Sequence, residues 1–339
     1  MERRLAAARA LTDSRGMIPV APTGQPARAA LMLVVATFAW GISFPLGKAS
    51  MMAQQAALPA AGTVALAAAL LAVRFALSLL PQWIGRTAAE PGPTRSELAQ
   101  GLGVGLFGGL GILIQTDGLA HTAASTAAFL TQGYCVWIPL FLALLHRRLP
   151  RARVLAAVVL VMAGVYLLSG ASLTNLHIGR GELEVLISSF LFAGQILWLD
   201  RPQYAGNRTR QVSTVMFATV TLLSIVCALA WSRGEFRALL TPFATPALAG
   251  STLVLALVCT WLPFSLMNRW QPHLNATRAG LIYCGEPVFG SLFALCLPAM
   301  ITPWLGVVYP NESPGLGLLV GGGAILIANL LALPPANRE

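Results

Sequence analysis

Residues 122–170 read TAASTAAFLTQGYCVWIPLFLALLHRRLPRARVLAAVVLVMAGVYLLSG. Two apolar runs, 122–145 and 153–170, enclose the segment His146-Arg147-Arg148-Leu149-Pro150-Arg151-Ala152-Arg153. An apolar run of roughly 18 to 25 residues crosses about 30 Å of hydrocarbon at about 1.5 Å per residue. So dense a basic segment resists translocation, so the pair reads as two membrane crossings joined on the cytoplasmic side.

The same pattern extends outward in both directions. Apolar runs near 29–50, 60–83, 98–119, 122–145, 153–170, 181–200, 212–231, 246–268, 276–300 and 315–333 predict an all-α integral membrane protein of ten transmembrane helices. Of 339 residues, 56% are hydrophobic and only 10% charged, against roughly 25% charged in soluble domains. A water-soluble fold of this size would lack the polar surface to cover itself.

The net charge of +10 does not point to nucleic acid, because the arginines fall in short segments between apolar runs instead of forming a continuous basic face. Orientation explains them. With the N-terminus in the cytoplasm, seventeen of the 22 Lys and Arg residues fall on that side; Lys48, Arg180, Arg233 and Arg237 fall on the other, and Arg74 lies within span two. Both termini are expected in the cytoplasm. Residues 1–28 and 334–339 read as cytoplasmic tails, the first of them disordered. The five cysteines lie inside apolar runs with no CxxC spacing and no histidine cluster, so they read as packing residues. No metal and no cofactor is expected.

An internal repeat is suggested by shifting the sequence against itself. A shift of 151 positions lays Ser125–Leu130 over Ala276–Leu281 and Phe141–Leu144 over Leu292–Leu295, and a shift of 153 lays Gly41 over Gly194 and Lys48 over Arg201. The halves 29–170 and 181–333 would then hold five helices each. An odd number forces the second copy to enter the membrane from the opposite side, giving inverted topology. Chance alignment of Ala- and Leu-rich helices is the competing explanation.

Several stretches resemble the drug/metabolite transporter superfamily in its EamA-like branch. They are Phe38-Ala39-Trp40-Gly41-Ile42-Ser43-Phe44 with Lys48, Arg74-Phe75, the run Asp117 to Leu130, basic Arg147-Arg148, Gly164, and Asn275 to Gly280 leading to Glu286-Pro287-Val288. The resemblance covers roughly residues 30–333. It implies a ten-helix transporter of two inverted five-helix repeats, with a central cavity lined by spans one, three, four, six, eight and nine, and export of amino acids or related metabolites. The expected location is the bacterial inner (plasma) membrane, and the expected partners are a small-molecule substrate, the lipid bilayer and, possible on the same terms, a second copy in a homodimer. The stretch 298–314, with Pro298, Pro303, Pro310 and Pro314, departs from the family's usual tight link.

A transporter cavity needs polar groups at membrane depth, where each is costly unless it faces protein or water. Glu286, expected near the middle of span nine, is the coupling candidate, because Pro287 beside it would free a backbone carbonyl one turn earlier. A structural role, pairing with a donor from a neighbouring helix, is the alternative; Arg74 is a partner by charge, although it could also snorkel to the cytoplasmic interface. Trp261, Phe264 and Asn268 share one face of span eight by spacing. Trp40, Ser43, Gln115, Gln132, Gln195, Trp198 and Tyr283 complete the cavity candidates, each also compatible with ordinary helix packing.

Look-alikes of nucleotide sites fail on context. Gly103 to Gly108 fits GxGxxG but has no preceding strand, and Gly41 to Lys48 has five residues where a P-loop has four, with Ala49 in place of Ser or Thr. No HExxH, carboxylate pair or Ser/His set marks an intramembrane enzyme. A channel, or a scaffold assembling through its glycine-rich faces, uses the same residue types and stays open as an alternative.

Overall fold

The computed structural model describes residues 26–84, 90–145, 147, 149–168, 178–199, 201–274, 279 and 282–332. Most of the expected N-terminal tail, the last residues and most of 275–281 lie outside the described residues. The regular structure of the described residues is helical. In chain order the principal helices are α1 (Pro26–Ala57), α2 (Thr63–Trp83), α3 (Arg95–His121), α4 (Ala124–Thr131), α5 (Tyr134–Leu145), α6 (Ala152–Leu168), α7 (Arg180–Leu199), α8 (Thr209–Trp231), α9 (Pro246–Trp270), α10 (Glu286–Leu305) and α11 (Gly317–Leu331). By length and composition eight segments can cross a membrane, α4 and α5 counting as one, and α6 and α11 are shorter apolar helices.

The hydrophobic pattern is that of a lipid-facing bundle. Large apolar side chains such as Leu102, Leu106, Val159, Leu222, Val226 and Leu319 point outward, while alanines of α2 (Ala65, Ala67, Ala68, Ala69) are fully buried. With lipid as solvent, burying Leu gains little, and small residues that let backbones approach carry the packing. The stripe Gly101, Gly105, Gly109 does so between α3 and α8: a Cβ on Gly101 would stand 2.6 Å from Val215 Cβ and 3.0 Å from the Val212 carbonyl oxygen. Gly164 and Gly321 meet in the same way between α6 and α11.

The helices pack in a defined set of pairs. α1 lies on α10 and α9; α7 lies on α3 and on α4–α5; α2 lies on α8 and α9; α3 on α8; α4 on α10; α6 on α11.

Four local irregularities shape the interior. The α4–α5 segment breaks at Gln132-Gly133, and a turn at Cys284-Gly285 precedes α10. Residues Leu257–Trp261 of α9 and Gly317–Gly321 of α11 each wind as one π-turn, a widening that recurs at functional sites.

Span nine therefore differs from its expected form. The sequence predicts an unbroken run over 276–300 with Glu286 near its middle, but α10 begins at Glu286. Pro287 occupies the first turn, where its missing N–H costs nothing, so it frees no carbonyl there. The proline that does is Pro298: the carbonyl of Ala294, four residues before it, accepts from Glu312 N at 3.0 Å instead. The 298–314 stretch is half helix, because α10 continues through Pro298 and Pro303 to Leu305 and ends at Gly306, φ 66°. Residues 307–314 alone form a loop.

Candidate functional site

Two adjoining cavities lie between the helices. A vestibule of about 960 Å³ is lined by Leu149–Arg151, Arg153, Arg201, Tyr204, Asn207, Asn268 and Gln271 among others. A smaller cavity of about 120 Å³ lies deeper and is lined by Trp40, Ser43, Phe75, Arg74, Gln115, Thr116, Gln195, Phe264, Tyr283 and Glu286. Tyr134, Ile196, Leu199, Met267, Gln271 and Tyr283 line both.

The two chain breaks meet beside the deeper cavity. Gln132, fully buried where α4 ends, donates through Nε2 to Glu286 Oε2 at 2.9 Å, and Glu286 opens α10 at only 8% exposure. A broken helix exposes backbone polar groups at membrane depth, which is tolerated where it lines a cavity. The aromatic wall is made by Trp40, whose ring meets Phe264 edge-on at 5.5 Å and Tyr283 at 6.1 Å. Tyr283 is held in turn by donating its hydroxyl to Gln271 Oε1 at 2.7 Å.

The remaining candidates divide by position. Ser43 donates to the Trp40 carbonyl at 2.7 Å and Gln115 to Thr131 Oγ1 at 2.6 Å, both on the wall of the deeper cavity. Gln195 lines it too, close against Gly108. Asn268 lines the vestibule, donating to Ser213 Oγ at 2.7 Å. Trp198 and Trp261 line neither cavity. Trp198 donates to the Ala99 carbonyl at 3.3 Å beneath the Arg201 guanidinium, 3.8 Å from its ring centre. Trp261 closes the π-turn of α9 against the apolar core. One helix face is broader than one cavity, so i, i+3, i+7 spacing did not separate Trp261 from Phe264 and Asn268.

Arg74 is placed where neither sequence expectation put it. It is buried, does not pair with Glu286 and does not reach an interface; it donates to Thr260 Oγ1 and to the Cys259 carbonyl in the π-turn of α9. The sequence carries no signal for a π-turn, so this partner could not be foreseen.

Opposite the vestibule the bundle is closed by polar contacts. Lys48 donates to the Thr122 carbonyl, and Thr122 Oγ1 donates to the Glu182 carboxylate. Arg180 holds Asp117 and, at 2.6 Å, Glu184. Glu312 folds back onto the start of α4, accepting from Ala124 N at 2.7 Å and from Ser125 through both its N–H and its hydroxyl. Burial and the Glu312 carboxylate together hold the phenol of Tyr309, in the same loop, above its ordinary range.

Comparison with known proteins gives this geometry its context. Residues 27–170 match the EamA-like transporter family. The EamA-like resemblance carried by the sequence motifs is thus shown. An uncharacterized transporter of Archaeoglobus fulgidus is 26% identical over 275 residues, 80% of this chain and 79% of that one. The uncharacterized transporter YcbK of Bacillus subtilis is 27% identical over 249 residues, 71% and 74% of the two chains. A solved structure, titled only as the crystal structure of a protein, covers 91% of this chain and 97% of its own at TM-score 0.54 and 17% identity, a likeness of fold alone. The EamA-like match and the transporter relatives support a multi-pass membrane transporter of the drug/metabolite type.

Proposed function

We propose that this chain is a secondary transporter that moves a small metabolite by alternating access, exporting amino acids or related compounds across a bacterial inner membrane. The observation that carries the reading is a cavity at the meeting point of two broken helices, adjoining a vestibule at one end of the bundle and separated from the other end by polar contacts. Alternating access needs such a central site reachable from one side at a time.

Ten crossings in two inverted repeats are part of the reading. Two observations support it. Exchanging α1 with α7, α2 with α8, α3 with α9, α4–α5 with α10 and α6 with α11 maps the most extensive of the packing pairs onto one another. The breaks at Gln132-Gly133 and Cys284-Gly285 are separated by 152 positions, between the shifts of 151 and 153 that align the halves in sequence. The basic residues Arg95, Arg151, Arg153, Arg201, Arg208 and Arg269 gather at the vestibule end, which the positive-inside bias assigns to the cytoplasm.

Glu286 is the coupling residue in this reading, taking a proton or a cationic group of the cargo. Glu286→Gln keeps the side chain's size and its contact with Gln132 while removing the charge. Counterflow in proteoliposomes, with labelled and unlabelled amino acids on opposite sides, is expected to fall about tenfold, an effect of roughly 1.4 kcal/mol, with accumulation in the membrane unchanged. Unaltered exchange at every pH removes Glu286 from the mechanism. Flux that is never accelerated by unlabelled substrate on the far side identifies a channel instead.

A further inference from the structure

Arg74 is a buried cation that no carboxylate pairs with among the described residues. The residue is only 6% exposed. Its two hydrogen-bond acceptors, Thr260 Oγ1 and the Cys259 carbonyl, are both neutral. The geometry fixes the direction of these bonds: the Thr260 hydroxyl spends its one hydrogen on the Leu255 carbonyl at 2.9 Å, so its lone pairs face the guanidinium. Ion pairs among the described residues join Arg180 to Asp117 and Glu184, Arg208 to Glu97, and Arg210 to Glu90, and none of them reaches Arg74.

A buried guanidinium without a carboxylate is costly, because removing a charge from water is offset only by a well-placed opposite charge. The five N–H groups of arginine form a planar fork. Two of them are engaged with α9, and the guanidinium lines the deeper cavity. Glu286 is the acidic residue described on that cavity's wall, and it is engaged with Gln132. The cavity thus carries a cation and a carboxylate that are not hydrogen-bonded to each other, with Phe75, Ile112 and Phe264 supplying apolar wall.

We infer that Arg74 is the anion-binding residue of the transport cavity, and that the cargo is a small apolar-bodied molecule whose carboxylate docks on the guanidinium. The inference rests on the proposal that this cavity is the transport site. A planar carboxylate matches the guanidinium fork bidentately, and burial of the guanidinium among apolar wall residues strengthens that pairing relative to water. An ammonium on the same molecule would face Glu286. The π-turn of α9 has a defined part here: by presenting the Cys259 carbonyl and the Thr260 oxygen to one edge of the guanidinium, it positions the charge without neutralising it.

The competing explanation is that Arg74 only props the π-turn. Binding to the detergent-purified full-length chain separates the two, with ligand-induced shifts in thermal unfolding and in tryptophan fluorescence as readouts. Four probes share one branched apolar body: leucine, isocaproate (no ammonium), isoamylamine (no carboxylate) and leucinamide (carboxylate neutralised). Leucine and isocaproate are expected to bind at least about tenfold more tightly than the two probes without a carboxylate, and Arg74→Gln to abolish that preference. Arg74→Gln retains donors for the π-turn, so a purely structural role would leave the preference intact.

Equal or tighter binding of isoamylamine to the wild-type chain, no binding of any of the four, or a preference that survives Arg74→Gln overturns the inference. If Arg74→Gln does not accumulate, the wild-type comparison alone decides, since it needs no variant. Counterflow keeps the two proposals apart. A carboxylate preference in binding without counterflow sinks the transport reading and leaves the Arg74 site standing; counterflow without a carboxylate preference does the reverse.

Discussion

The two ends of the bundle use charged side chains to join different sets of helices. At the vestibule end, charged side chains hold the chain's own backbone and leave space: Arg208 grips Glu97 with two bonds of 2.8 Å and reaches the carbonyls of Pro91 and Gly92, and Arg210 reaches those of Gln82 and Ile84. Those contacts tie the start of α8 to the start of α3, to the segment before it and to the end of α2. At the opposite end, Lys48, Thr122, Glu182, Arg180 and Glu312 reach between helices and close the space. The vestibule-end contacts join α8 to α2 and α3, which pack directly on one another, whereas the closed-end contacts join α1 to α3, α3 to α7 and the 307–314 loop to α4. Contacts between helices that rock apart are exchanged in the motion, whereas contacts among helices that move together persist.

The sharpest way to break this comparison is to make the closed end permanent. With the five native cysteines removed, a short bis-methanethiosulfonate bridge between Thr122→Cys and Glu182→Cys should reduce counterflow to background, and thiol reductant should restore it. Full transport through the bridged protein would show that this end need not open.

A smaller effect is expected from loosening one tie. Glu312 provides the first turn of α4 with a carboxylate at its N-terminus, a favourable placement. Hydrogen bonds to a charged group contribute about 1.5–3 kcal/mol. Glu312→Gln should therefore shift the population toward an open closed end by about tenfold, read as faster labelling of a cysteine at Ser43 by an impermeant thiol reagent added from that side. Unchanged labelling would reduce the Glu312 contact to decoration.

The smallest effect is expected at Pro298. An alanine there restores an N–H that competes with that of Glu312 for the Ala294 carbonyl, at a cost of under about 1 kcal/mol. Labelling at Ser43→Cys should rise slightly, and by less than with Glu312→Gln. A larger rise would mean that the loop is held through α10 more than through α4.

Legibility in the sequence followed the physics of each feature. Membrane crossing depends on local length and hydrophobicity, so the all-helical class and most of the apolar helices could be read from one chain. Glu286 stood out because a carboxylate inside an apolar run is costly wherever it faces. Its position at a helix start did not, because Cys284-Gly285 turns under tertiary constraint and Glu-Pro is compatible with both a helix interior and a helix N-terminus. Trp198 and Trp261 show the converse: aromatic residues at helical spacing are equally suited to core and cavity.

Sequence alone determined that this chain is a helical membrane protein, since transfer of apolar runs into lipid is a sum over neighbouring residues. Only the tertiary structure decided that Gln132 meets Glu286, that Arg74 lies against the π-turn of α9, and that one end is open while the other is tied. Those facts depend on helix rotation and on contacts between residues more than a hundred positions apart, and hydrophobic periodicity within a single helix carries no information about them.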